Sequence, residues 1–281
     1  MNTRESLNPQ SDLKTDATHS VLESVISGLI EPRQDAPESY KPTLISNRPG
    51  DLTMHDEISD ALTNSDSFDI SVAFVSPDAI LSLFEDFRSH HANAPEQVSR
   101  LITSTKNHFN DPRAFWELLH LQRTAGVDVR VWAGSDSSVS VAQGQPFHPK
   151  GYVFSRRMRN GTPYYDLFVG SSNLTGAALN TQREWNLKVS SLANGELVAQ
   201  VRDEIDSQIA DSKPLTEEWI KQYEEDFKKY APPRRDILKS LEGREIQPNA
   251  MQKEALASLK KLREQGEHRA IIVSATGTGK T

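Results

Sequence analysis

The sequence predicts an α/β domain built on a mixed sheet, followed by the start of a second unit. Three observations carry this. Helix-period segments and strand-like apolar runs alternate from about residue 52 to residue 209. Some strand connections are long enough to hold a crossover helix, whereas Asn160-Gly161 is a tight turn between two strand-like runs, so parallel and antiparallel neighbours are both expected. After Ser212 the composition shifts to charged and proline-rich sequence, and a fresh helix, an apolar strand and a glycine-rich string close the chain.

The bulk properties bound the answer. At 281 residues, 36% hydrophobic and 25% charged, the chain has room for one good core and part of another. A net charge of −7 argues against a nucleic-acid coat protein, but an enzyme needs only a local basic groove. No apolar run approaches the roughly eighteen residues of a membrane span, so no membrane partner is expected. The first 34 residues are polar and lack the pattern of a signal or transit peptide. With no cysteine there are no disulfides and no thiolate metal sites, which fits a cytoplasmic protein.

The elements follow in order. Residues 1–40 read as a flexible segment with one helix, marked by Val21, Leu22, Val25, Ile26 and Leu29 at helical spacing; residues 31–50, with four prolines, read as a loop. The main domain is expected over 41–212. Met54 to Leu62 is a predicted helix, and Phe68 to Val75 a strand whose apolar run suits burial on both faces. Pro77 to Ser89 is a helix with proline in its first turn. Ser99 to Thr103 is a strand, Pro112 to Thr124 a helix capped by Asp111, and Val127 to Trp132 a strand. Phe147 to Phe154 is a strand, Ser155 to Pro163 a polar hairpin tip, and Tyr164 to Val169 the return strand. A Gly170 to Thr175 turn leads to a short helix, a strand from Glu184 to Val189 and a helix from Leu197 to Ile209. Residues 213–245 read as a helical linker, and 246–281 as the start of a second domain.

The chemistry concentrates in His148-Pro149-Lys150, Gly170-Ser171-Ser172-Asn173 and Glu184. A histidine and a lysine two apart on a strand share a face. The imidazole is a nucleophile near neutral pH, and the ammonium offsets charge on phosphate oxygens. Asn173 can donate to the same oxygens and Ser171 can donate to phosphate or fix a neighbour. Glu184 can accept from the second imidazole nitrogen and set its tautomer. No metal is needed for this scheme. The Arg156-Arg157-Met158-Arg159 tip reads equally as a phosphate contact or a solvated hairpin end.

The H-P-K and G-S-S-N strings, with the acidic Glu184 beyond, resemble the phospholipase D superfamily over residues 41–212. The resemblance implies a phospholipase D-like mixed sheet flanked by helices. It also implies phosphodiester hydrolysis through a phosphohistidine, with His148, Lys150, Ser171, Asn173 and Glu184 as the catalytic set. One motif is present where family active sites use two, which implies a homodimer sharing one site. The family's aspartate, five residues after the lysine, is Ser155 here. The nine-residue tip from Ser155 to Pro163 reads as an insertion that removes this role, and Asp166 is the candidate substitute, although more weight falls on Glu184.

At the C-terminus, Ser274-Ala275-Thr276-Gly277-Thr278-Gly279-Lys280-Thr281 follows an apolar strand, the context of a phosphate-binding loop. It resembles motif I of superfamily 2 helicases, with Gln252 in the preceding adenine-reading element. The resemblance implies a fragment of a RecA-like P-loop domain. ATP and Mg²⁺ would be held by Gln252, Gly277, Thr278, Gly279, Lys280 and Thr281 in a longer parent protein, with no ATPase activity from this chain alone. Together the two resemblances imply a metal-independent DNA endonuclease joined to a translocase, with DNA and a second copy as partners. Two other readings stay open: a catalytically silent DNA-binding or dimerisation module, and a phosphodiesterase acting on something other than nucleic acid.

Overall fold

A computed structural model describes residues 9–105, 108–132, 147–230 and 250–266, with the backbone path alone for 9–15 and 250–252. The chain divides into two units, Met1–Pro232 and Pro233–Thr281. In the second, a single helix, α9 (Ala250–Glu264), is described. Gln252 falls on its backbone; Gly277, Thr278, Gly279, Lys280 and Thr281 lie outside the described residues.

The first unit is organised by an eight-stranded sheet among the described residues, in the order β1-β7-β6-β5-β2-β3-β4-β8. The strands are β1 (Thr43–Ile45), β2 (Ser67–Val72), β3 (Arg100–Ser104), β4 (Asp128–Trp132), β5 (Lys150–Arg157), β6 (Pro163–Gly170), β7 (Asn186–Leu192) and β8 (Ser212–Pro214). β2, β3 and β4 run parallel, joined by crossover helices, while every other neighbour is antiparallel. The expected mixed sheet is therefore present.

Alternation along β2 explains how both faces are covered. Phe68, Ile70 and Val72 enter the larger core, with Met54, Ile58 and Leu62 of α2 (Met54–Thr63) and Phe115 and Leu118 of α5 (Pro112–Ala125). Ala73, with Ile102, Val153 and Leu167, faces Val198 and Ile205 of α7 (Glu196–Ala210) in a smaller core. Capping follows the sequence signals. Thr53 and Asp56 form a reciprocal capping box at the start of α2, and Asp111 accepts from Arg113 N at the start of α5.

Several elements depart from the sequence expectation. The first helix, α1 (Pro9–Leu29), begins earlier, and β1 lies inside the expected loop. The helix expected over Pro77 to Ser89 is two, α3 (Pro77–Ser82) and α4 (Phe84–Asn93), broken at Leu83 (φ −103°, ψ 6°) with no proline or glycine to signal it. β2 ends at Val72, because the next residues leave its ladder: Leu174 N donates to Phe74 O, and Val75 bridges to Leu174 in parallel. The helix that opens the expected linker, α8 (Glu217–Tyr230), lies against the larger core. Its Ile220 and Tyr223 are buried there, and the Trp219 and Tyr223 rings stack at 5.3 Å.

The β5–β6 hairpin corrects the expected tip. Its ladder runs from Gly151↔Val169 to Arg157↔Pro163, so Ser155 is a strand residue paired with Tyr165. Gly161 N donates to Met158 O (2.8 Å) and Met158 N to Thr162 O (2.9 Å), with Gly161 at φ 83°. That is a three-residue turn ending in a left-handed glycine. Ser155, Arg156 and Arg157 looked like a turn because they are polar; the ladder and a buried ion pair hold them in the strand.

Candidate active site

The end of β5 places the first pair. Lys150 opens the strand and His148 stands just outside it, because the strand ladder continues through Pro149 only by its carbonyl, which accepts from Ala73 N (3.1 Å). His148 is nonetheless held against the lysine. The Lys150 ammonium lies 2.8 Å from His148 Nδ1, 3.5 Å from Nε2 and 3.3 Å from the His148 carbonyl oxygen. The Phe74 ring meets the imidazole edge-on at 5.8 Å. A phosphate group is large enough to meet the ring and the ammonium together.

Each residue of the Gly170-Ser171-Ser172-Asn173 turn has a separate task. A Cβ on Gly170 would stand 2.1 Å from Trp185 O, so only glycine permits β6 and β7 to approach there. Ser171 Oγ accepts from Trp185 N (3.0 Å) and donates to the Glu184 carboxylate. Ser172 is buried and structural: its hydroxyl donates to Ala178 O, and Asn186 closes on it from both sides. Asn173 Oδ1 accepts from Phe74 N (3.1 Å). A backbone N–H can only donate, so this bond fixes the amide's orientation and turns its Nδ2 donors elsewhere.

Glu184 therefore enters through Ser171, two residues before β7 rather than on a strand. Its charge reaches Tyr152 beneath the turn. Burial first, and then the Glu184 carboxylate, push the Tyr152 phenol above its ordinary range, so it stays protonated and donates to Ser172 O (3.0 Å).

The candidates for the missing aspartate sort differently. Asp166 does not reach this site. It is 1% exposed, accepts from Arg156 (3.0 Å) and receives the Ser190 hydroxyl, while Arg156, 15% exposed, also pairs with Asp60 (3.2 Å). Burial works against the Arg156 charge, but Asp166 and its neighbours outweigh it and raise the pKa. The arginine tip is also remote. Arg157, bound to Asp66 at 2.8 Å, lies seven residues along β5 from Lys150, about 23 Å at the rise of an extended strand.

Two residues that sequence reasoning missed shape the site. Phe74 joins His148 and Asn173, and its ring packs edge-on against Phe109 (5.5 Å). Asn110 is buried and ties the ends of β2 and β3 together: it donates to Ser104 O (2.6 Å) and Ala73 O (3.3 Å) and accepts from Val75 N (2.9 Å). Neither carried a motif. Among the described residues no cluster of histidine and carboxylate side chains could hold a metal ion. None of the helices described is long and apolar enough to cross a membrane.

Comparison with known proteins places this architecture. Residues 56–209 match the family model described as "Cardiolipin synthase, PLD-like domain", and residues 245–281 match "Type III restriction enzyme, res subunit". None of the curated proteins matches the chain. Among solved structures, NucT from Helicobacter pylori is 13% identical, with a TM-score of 0.45, covering 62% of this chain and 99% of its own. The phospholipase D family member Nuc from Salmonella typhimurium is 11% identical, with a TM-score of 0.44, covering 62% and 97%. Polyphosphate kinase from Porphyromonas gingivalis is 14% identical, with a TM-score of 0.42, covering 63% and 27%. With a family model matched over more than half its length, its helix-flanked mixed sheet and its H-P-K and G-S-S-N strings meeting at one end of that sheet, the chain belongs to the phospholipase D-like family.

Proposed function

We propose that the first unit is a phosphodiesterase that cuts DNA without a metal, through a covalent histidine intermediate. The observation that carries this is the Lys150 ammonium 2.8 Å from a His148 ring nitrogen, beside a turn that presents Ser171 and Asn173. An imidazole nitrogen of His148 attacks phosphorus, the bond to the leaving oxygen breaks, and a histidine of a second copy protonates that oxygen. Water then attacks phosphorus, the P–N bond breaks, and the second histidine takes the water's proton. Lys150 and the Asn173 Nδ2 donors hold the non-bridging oxygens, where charge builds in the transition state. Ser171 and Glu184 position this turn.

DNA as substrate is supported by the match of residues 245–281 to the restriction-enzyme res-subunit family. A string of that kind binds ATP and Mg²⁺ in a nucleic-acid motor, so we place the nuclease within a translocase-linked, restriction-type system. The test is plasmid cleavage in EDTA by the chain and by its His148→Ala variant. Cleavage that disappears in the variant supports the reading. Absence of cleavage by both, with bound DNA retained, favours a silent DNA-binding module. Cleavage that requires a divalent cation sinks the mechanism.

A further inference from the structure

Phe74 links the candidate active site to a run of aromatic rings. It stands near-perpendicular to both His148 (5.8 Å) and Phe109 (5.5 Å), so one ring separates Phe109 from the imidazole. The residue before Phe109 is His108, whose ring stacks on Tyr223 (5.7 Å) and tilts against Tyr230 (5.9 Å). Tyr223 is buried in the larger core, but Phe109 is 59% exposed and Tyr230 62% exposed. Aromatic surface therefore runs from beside the histidine–lysine pair to the end of α8.

A ring that served only the core would be buried. Phe109 is instead held outward by a fixed loop. His108 N donates to Thr105 O (2.9 Å), and the Tyr223 hydroxyl donates to Asn110 O (2.8 Å). The Asn110 amide in turn holds Ser104 O, Ala73 O and Val75 N. His108 itself takes a left-handed backbone (φ 54°), uncommon for a residue other than glycine, immediately before Phe109. A rigidly presented ring loses little freedom when a flat ligand settles on it. A cation accompanies the rings, because the Lys229 ammonium lies 5.7 Å from the centre of the Tyr230 ring. Exposed rings with a basic side chain, continuous with a phosphate site, match what an unpaired strand needs: faces for its bases and charge for its backbone. Bases inside a duplex already stack on one another and have no face to offer.

We propose that Phe109, with His108 and Tyr230 beyond it, is a stacking platform for unpaired bases of the strand cut at His148, and that it selects single-stranded over duplex DNA. The strand passes from Lys150 over Phe109 toward Tyr230, where Lys229 meets a phosphate. This rests on the nuclease reading above and adds which form of DNA the site takes. The continuity of the rings with His148 and the cation beside Tyr230 favour DNA over a protein segment as the occupant.

The His148→Ala chain, which should bind without cutting, is titrated with a fluorescent single-stranded oligonucleotide, with its duplex and with an abasic strand of the same length, read by anisotropy. Phe109→Ala, Phe109→Leu, Phe109→Trp and Tyr230→Ala are each added to that background, with circular dichroism to establish folding. Losing one stacked base corresponds to about 5-fold or more in affinity. Alanine or leucine at 109 and alanine at 230 should each weaken single-strand binding by that much, while tryptophan at 109 retains it. Binding of the duplex and of the abasic strand should stay within about twofold throughout. With His148 intact, the chain should cut the single strand faster than the duplex in EDTA, and Phe109→Ala should lose that preference. Equal losses for strand, duplex and abasic strand assign the rings to backbone contact and overturn the platform. Unchanged strand binding in the Phe109 and Tyr230 variants, with His148-dependent cleavage by the wild type, overturns the platform and leaves the nuclease reading standing; if those variants also sediment as smaller species, the rings belong to a protein contact. A wild-type chain that neither binds nor cuts DNA overturns both.

Discussion

Replacing Asp166 by asparagine separates folding from chemistry in this protein. Asp166 is 1% exposed and Arg156 15% exposed, and they pair at 3.0 Å in the sheet beneath α2. Asparagine keeps the shape and a partner for Ser190 but removes the charge that Arg156 faces. Breaking a buried pair by removing one partner costs about 3–5 kcal/mol. Arg156 keeps Asp60 at 3.2 Å, and that carboxylate is more than half exposed, so the lower end, about 3 kcal/mol, is expected. For a unit of this size each kcal/mol shifts Tm by about 2–4 °C, which predicts a fall of about 6–12 °C. Thermal unfolding by circular dichroism reads the shift. EDTA-tolerant DNA cleavage, measured well below the lowered Tm, should be within about threefold of wild type. Glu184→Gln should do the reverse, keeping Tm within about 2 °C while cleavage falls about 100-fold or more. An Asp166→Asn chain of unchanged Tm that fails to cut DNA would refute the structural assignment and make Asp166 the substitute for the family aspartate.

Three further outcomes are expected. Asn173→Ala removes the bond to Phe74 N and the phosphate donors, and should lower cleavage about 100- to 1,000-fold with a stability loss of about 1 kcal/mol, read by initial rates and urea unfolding. Asn110→Ala leaves Val75 N and Ser104 O buried without this partner, and should cost about 2–3 kcal/mol in the same unfolding assay. His90 is buried with its pKa lowered, chiefly by desolvation and despite the Leu62 carbonyl, so it is neutral when folded. Below about pH 6.5 the unfolded chain takes up a proton that the native chain does not, so stability should fall as pH drops from 7 toward 5. A His90→Gln variant should show a shallower pH slope over that window.

How far the site was legible depends on whether a residue carries its chemistry in its own type and spacing. His148-Pro149-Lys150 and Gly170-Ser171-Ser172-Asn173 did, because side chains two apart at a strand end and a tight turn between strands are local geometry. Phe74 and Asn110 did not. Their importance comes from contacts with Asn173, Ala73 and Ser104, which belong to other strands and loops. Asp166 misled for the same reason: a carboxylate near a motif is ambiguous until its partner is known, and Arg156 is that partner.

The sequence alone determined the α/β class, most helices and strands of the first unit, the hairpin turn and the H-P-K and G-S-S-N strings of the family. These follow from periodicity, turn residues and functional groups, all readable within a few positions. Tertiary structure decided the register that keeps Ser155 in a strand, the break at Leu83 and the packing of α8 on the core. It also decided the routing of Glu184 through Ser171. Each of these depends on which distant segment a residue meets, and pairing across a sheet or burial against a helix is set by the summed packing of the whole domain.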